Sequence, residues 1–201
     1  MAKKILEYLH ELCYSISKNR IGIMKVVRMK KRYDALDVAK WFLWKNKVNQ
    51  LENETEYDDK YEVYEGLTHL KLQKLLYFAQ GVNLVVNNKV LFNDKINAWT
   101  HGPVVKKVYN DFKKWGRDEI NIELTPEDMK KIEEIELDIE SSTVLNSVYD
   151  TFGIYTAWQL REMTHTPGGP WETTVRTKGM DKEIPVSLIR EYFQNQVVNS
   201  V

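Results

Sequence analysis

Residues 67–81 read LTHLKLQKLLYFAQG. Leu72, Leu75, Leu76, Ala79, Val82 and Val86 recur at the three-and-four spacing of an α-helix, and Leu67, Leu70, Tyr77 and Phe78 add apolar surface off that stripe. A helix that is apolar nearly all round is a buried one. Gly66 breaks the chain before it and Thr68 offers a side-chain cap, so the spacing predicts a central helix reaching Val86. Its lysines are then its exposed positions. A helix that reads DNA would instead present a polar face of Arg, Asn, Gln or Lys to base edges, and too much of this one is apolar.

Upstream, residues 34–46 (DALDVAKWFLWKN) read as a second helix, with Asp34 as its cap and Leu36, Ala39, Phe42 and Leu43 as its apolar face. Residues 49–65 carry seven acids against Lys60 and read as an exposed loop. Residues 3–17 place Ile5, Leu6, Leu9, Leu12, Cys13 and Ile16 at helical spacing, and residues 18–32 follow as a basic connector.

Downstream, residues 89–99 (KVLFNDKINAW) hold two short apolar runs around Asn93-Asp94, the pattern of a β-hairpin. Gly102-Pro103 opens a helix with Pro103 at its first position, carries Val104, Val105, Val108, Phe112 and Trp115 inward, and ends at Gly116. Thr125-Pro126-Glu127-Asp128 starts another helix, which breaks near Ser141-Ser142 before a helix closed by Gly153. Thr156 and Gln159 have capping-box spacing and open a short helix to Thr164. Residues 166–170 (TPGGP) form a turn, and Ile184-Pro185 opens the last helix. The expectation is a mainly α, compact single domain of seven to eight helices with one short β-hairpin near residues 89–99.

The totals narrow the function. The chain has 201 residues, no net charge and one cysteine, Cys13, so it can form no internal disulfide and suits a reducing cytoplasm. No apolar run reaches the roughly 18 residues of a membrane span. The neutral total hides an asymmetry: residues 1–32 hold nine basic residues and two acids, a net +7 that the remainder balances. Such an arm suits nucleic acid, a membrane, an acidic partner or the body of the chain itself.

Catalytic chemistry is missing. His10, His69, His101 and His165 are far apart, so no local metal site exists. Gly168-Gly169 lacks the Lys-Ser/Thr ending of a phosphate loop, and no serine sits in a nucleophile elbow. The expectation is no enzyme, no metal, no cofactor and no small-molecule substrate.

Three segments carry a resemblance together: LTHLKLQKLLYFAQG (67–81), AWTHGPVVKKVYNDF (98–112) and LREMTHTPGGPWETT (160–174). With YDALDVAKWFL (33–43) before them and IPVSLIREYF (184–193) after, they resemble the Panacea domain of SocA-like antitoxins, a family of bacterial and phage proteins. The resemblance covers residues 33–198 and leaves 1–32 as a basic helical extension. Members of the family commonly begin near the position of Met29, so the residues before it are either a toxin-specific extension or the product of an upstream start. What the resemblance implies is a cytoplasmic antitoxin that neutralises a cognate toxin protein by direct binding. Toxins of the family include alarmone-synthetase-like enzymes that modify tRNA. The SocA branch implies an alternative, an adaptor that delivers its toxin to a protease. The basic arm and Lys106, Lys107, Lys113 and Lys114 suggest another, a DNA-binding regulator of its own operon.

Two groups of residues are candidates for partner binding. The apolar stripe Leu6, Leu9, Cys13 and Ile16 either joins the core or lies in a groove on the toxin. Trp99, His101, Pro103, His165 and Trp171 either build a corner of the core or share one surface, since aromatic anchors serve cores and interfaces alike.

Overall fold

A computed structural model describes residues 33–55 and 66–198. The central element is helix α2, His69–Val86, in which every residue from Lys71 to Leu84 is buried. Thr68 caps it, its side chain accepting from Lys71 N. Around α2 pack α1 (Ala35–Thr55), α3 (Lys106–Phe112), α5 (Ile139–Phe152), α6 (Ala157–Thr164) and α8 (Val186–Val198). Helix α4 (Pro126–Glu136) packs on α1 and α5, while α7 (Pro170–Lys178) packs on α8.

Aromatic rings fill the layer between α2, α5 and α8. Phe78 stacks on Phe152 with ring centres 4.2 Å apart, and Tyr77 meets Phe193 edge-on at 5.6 Å. Gly81 makes the approach of α8 feasible, because a Cβ there would lie 2.3 Å from Phe193 Cζ.

A helix buried on all sides must satisfy its polar side chains internally. In α2 they serve as partners for the chain that follows. Gln80 Nε2 donates to Phe92 O at 3.0 Å, and its Oε1 accepts from Leu91 N at 2.8 Å. Asn83 Nδ2 donates to Lys89 O at 2.8 Å. Gln73 Oε1 accepts from Val105 N at 2.7 Å, and Lys74 Nζ donates to Pro103 O at 3.0 Å. Thus Gln73, Lys74, Gln80 and Asn83 pin residues 89–105 along the helix. The lysines expected on the exposed side are buried: Lys71 and Lys74 are 3% and 0% exposed.

The sheet has three short strands in the order β2-β1-β3, all antiparallel: β1 Ile96–Trp99, β2 Gly102–Val105 and β3 Lys182–Glu183. A hairpin does form, but it lies later than the apolar runs around Asn93-Asp94 indicate. Its loop is Thr100-His101, and β2 replaces the expected first turn of a helix at Gly102-Pro103. Pro103 sits opposite Ala98 on an edge strand, where a residue without an N–H is tolerated. The side chains of Gln73 and Lys74 take up the β2 backbone groups, so helix α3 begins only at Lys106.

Three further expectations need adjustment. Helix α1 continues through Thr55, so the acidic stretch from residue 49 begins as helix, not loop. The break between α4 and α5 falls at Leu137-Asp138 rather than Ser141-Ser142. Ser141 is buried and donates to Asp138 Oδ2 at 2.8 Å, inside the new helix. Helix α7 was not expected: TPGGP turns, but its last proline is the first residue of a new helix. The capping box expected at Thr156/Gln159 forms, and the helix start expected at Thr125 proves to be a capping box as well, with Asp128 as its partner. The helix expected over residues 3–17, and the partner-binding residues Leu6, Leu9, Cys13 and Ile16 within it, lie outside the described residues.

Candidate partner-binding surface

The hairpin tip projects between the start of α2 and the start of α6. Its position is set from below by a tight crossing. Gly102 adopts φ +100°, and a Cβ there would meet Thr164 Oγ1 at 2.7 Å and Lys74 Nζ at 2.8 Å. Lys74 is fully buried, and that burial, reinforced by the nearby Arg161 guanidinium, pushes its pKa down to about 7.

The tip is also braced from the side. Trp171 Nε1 donates to Trp99 O at 2.8 Å, and His165 lies against the Trp171 ring with centres 3.7 Å apart. His165 Nδ1 donates to Arg161 O at 2.7 Å, which fixes its tautomer, since a carbonyl can only accept. Burial lowers the pKa of His165, with the Arg161 and Lys74 cations adding to the effect, and it lowers that of His69 in the same way, with Lys74 adding. Trp99 Nε1 donates to Asp181 Oδ1 at 2.6 Å.

In front of the tip lies an open groove of about 1220 Å³. Its apolar lining comes from Leu70 of α2, Trp99 and Val104 of the hairpin, Tyr109 of α3, Trp158 of α6 and Met180 before β3. Trp99 meets Tyr109 edge-on at 4.8 Å, and His101 faces Trp158 at 6.3 Å. Arg161 lies over the Trp158 ring at 4.8 Å and pairs with Glu162. Lys113 and Arg117 complete the wall on the α3 side.

The five candidates from this part of the chain converge on one corner in two layers. Trp99 and His101 line the groove. Pro103, His165 and Trp171 stand behind it as its support, through the Lys74, Arg161 and Trp99 contacts just given. The residue that sequence reasoning missed is Trp158, 58% exposed although it is a tryptophan. Its signal was its helical phase: α6 buries Leu160 and Thr164, and a residue two before Leu160 points the other way. Tyr109, Lys113 and Arg117 had no signal as groove residues, because the packing of α3 and of the turn after it beside the hairpin brings them there.

Among the described residues no group of His, Cys, Asp and Glu could hold a metal ion. No described helix is long and apolar enough to cross a membrane. What the corner offers is an open aromatic groove on a braced hairpin.

The comparisons with known proteins show the family. The model of the family described as "Antitoxin SocA-like, Panacea domain" matches residues 72–172, from the first turn of α2 to the first turn of α7. The chain belongs to this family. It is 31% identical over 141 residues to Antitoxin SocA of Caulobacter vibrioides (strain NA1000 / CB15N), an alignment covering 66% of this chain and 75% of that protein. No solved structure matches.

Proposed function

We propose that this chain is a cytoplasmic antitoxin that neutralises its cognate toxin by direct binding, covering the toxin's active or substrate-binding surface, and that it catalyses no reaction of its own. Membership of the antitoxin family supports the role. The groove at the hairpin tip supports the mode. It exposes Trp158 beside Trp99 and His101 at the centre of a rigid frame, the arrangement of a protein-binding hot spot. The partner toxin, on this reading, is the protein encoded beside this chain.

The DNA-binding alternative loses two of its lysines to ion pairs within the chain. Of the four lysines that suggested it, Lys106 pairs with Asp181 at 2.9 Å and Lys107 pairs with Asp34. Co-expression tests the antitoxin reading. The neighbouring gene product alone should arrest growth, and this chain should restore growth and co-purify with it. A harmless neighbour, or a toxic one that stays unbound and active beside this chain, would sink the proposal.

A further inference from the structure

The groove's size and charge narrow the kind of segment it would take. A small-molecule site encloses about 300–1,000 Å³. At about 1220 Å³ and open to solvent, this groove has room for a stretch of polypeptide. Its lining is aromatic and aliphatic, so an entering side chain should be bulky and apolar.

Among the described residues the unpaired charges of the polar wall are positive. Lys113 and Arg117 are exposed, and neither pairs with a carboxylate among the described residues. Among the described residues Lys113 reaches only the amide oxygen of Asn110, at 3.3 Å. Among the described residues one carboxylate lines the groove, that of Asp181, and it is occupied by Lys106 and by Trp99 Nε1. Asp118 and Glu119 follow Arg117 in the chain but do not line the groove. A ligand in this groove therefore meets donors and positive charge along one side and apolar rings along the other.

We infer that the groove receives an acidic segment of the partner toxin that carries a bulky apolar side chain. That side chain seats against Trp158 and His101, and the carboxylates beside it face Lys113 and Arg117. The inference rests on the antitoxin reading, and adds to it the chemistry of the toxin segment. Charge pairs of this kind at an exposed rim mainly raise the association rate and shape salt dependence, while the aromatic contact holds the complex together.

The experiment uses the full chain and the purified toxin encoded beside it, with affinity measured by interferometry at low and high salt. Trp158→Ala should weaken binding about thirtyfold, the range of an interface hot spot. Lys113→Glu with Arg117→Glu should weaken it about tenfold or more at low salt, mostly through slower association, and the loss should shrink as salt rises. Lys130→Glu, on the exposed surface of α4, should change nothing. A toxin variant with one acid changed to lysine should recover affinity for the double reversal. If the wild-type chain binds and neutralises but both groove variants bind within about twofold of it, the groove assignment is wrong and the antitoxin reading stands. If the wild-type chain neither binds nor neutralises, both fall. If homopolymeric RNA binds the wild-type chain and the double reversal abolishes that, the groove holds nucleic acid and the inference is overturned.

Discussion

Helix α2 and the hairpin corner both carry lysines and aromatic residues close together in sequence, yet they use them in opposite ways. In α2 Lys74 and the amides of Gln73, Gln80 and Asn83 turn inward and bind the backbone of residues 89–105, so the helix spends these polar groups on its own fold. At the corner the aromatic rings and cations face outward, over a frame that α2 and α7 hold still. The difference teaches that a family-defining stretch can be the part of the molecule with least surface to offer. The segment that identifies the fold supports the segment that is free to bind.

The comparison breaks most visibly if α2 is damaged. Phe78→Ala removes one ring of the stacked pair with Phe152 inside a close-packed layer, and Phe→Ala changes of this kind cost about 3–5 kcal/mol. Urea unfolding should show a loss of that size. The residual folded protein should still bind the toxin, because no atom of Phe78 lines the groove.

Lys74 joins the two regions, and its ionisation gives a pH test. Its folded pKa of about 7 lies below the ordinary value of 10.5. Between those values the unfolded chain holds a proton that the native chain does not, so stability should climb as pH rises from 7 towards 10 and fall as pH drops back. Expected amplitude is of order a few kcal/mol, read as a rise in the urea midpoint between pH 7 and pH 9. Lys74→Met should flatten the rise. His69 and His165 are depressed as well, so they add a further loss as pH falls below their ordinary value of 6.5. A wild-type midpoint that stays level between pH 7 and pH 9 would contradict the burial argument for Lys74.

Trp158→Ala is the opposite case. The residue is 58% exposed, so its removal should change stability by no more than about 0.5 kcal/mol. Its loss from binding should be about 2 kcal/mol. Calorimetry of unfolding and of toxin binding on the same variant separates the two.

These contrasts also explain what could be read from the sequence. The burial of α2 was legible because its apolar residues exceed one helical stripe. The destinations of Gln73 and Lys74 were not, since they depend on where residues 102–105 lie. For the same reason Pro103 was misread: its fixed φ suits a helix start and an edge strand equally, and contacts with α2 made the choice. Helix α7 was hidden by the turn that precedes it, and the continuation of α1 by the acids on its last turns. Trp99, His101, His165 and Trp171 could be named one by one, but their meeting required Trp171 to reach across to the carbonyl of Trp99. Lys113 was visible only as one lysine of a basic helix, and Arg117, past the Gly116 that ends that helix, carried no signal.

The smallest expected effect separates the two regions most cleanly. Thr125 and Thr156 form the same capping box, each side chain accepting from the backbone N–H three residues on, with Asp128 and Gln159 returning the bond. Changing either to alanine should cost about 1 kcal/mol of stability. Thr125 starts α4, on which no groove residue lies, so Thr125→Ala should leave toxin affinity alone. Thr156 starts α6, and Trp158 is the second residue of that helix. Fraying this first turn frees the indole from the place where Arg161 covers it, so Thr156→Ala should speed dissociation of the toxin several-fold. Equal stability losses with unequal dissociation rates would tie binding to the order of that turn. Equal dissociation rates in the two variants would show that the toxin does not rest on Trp158.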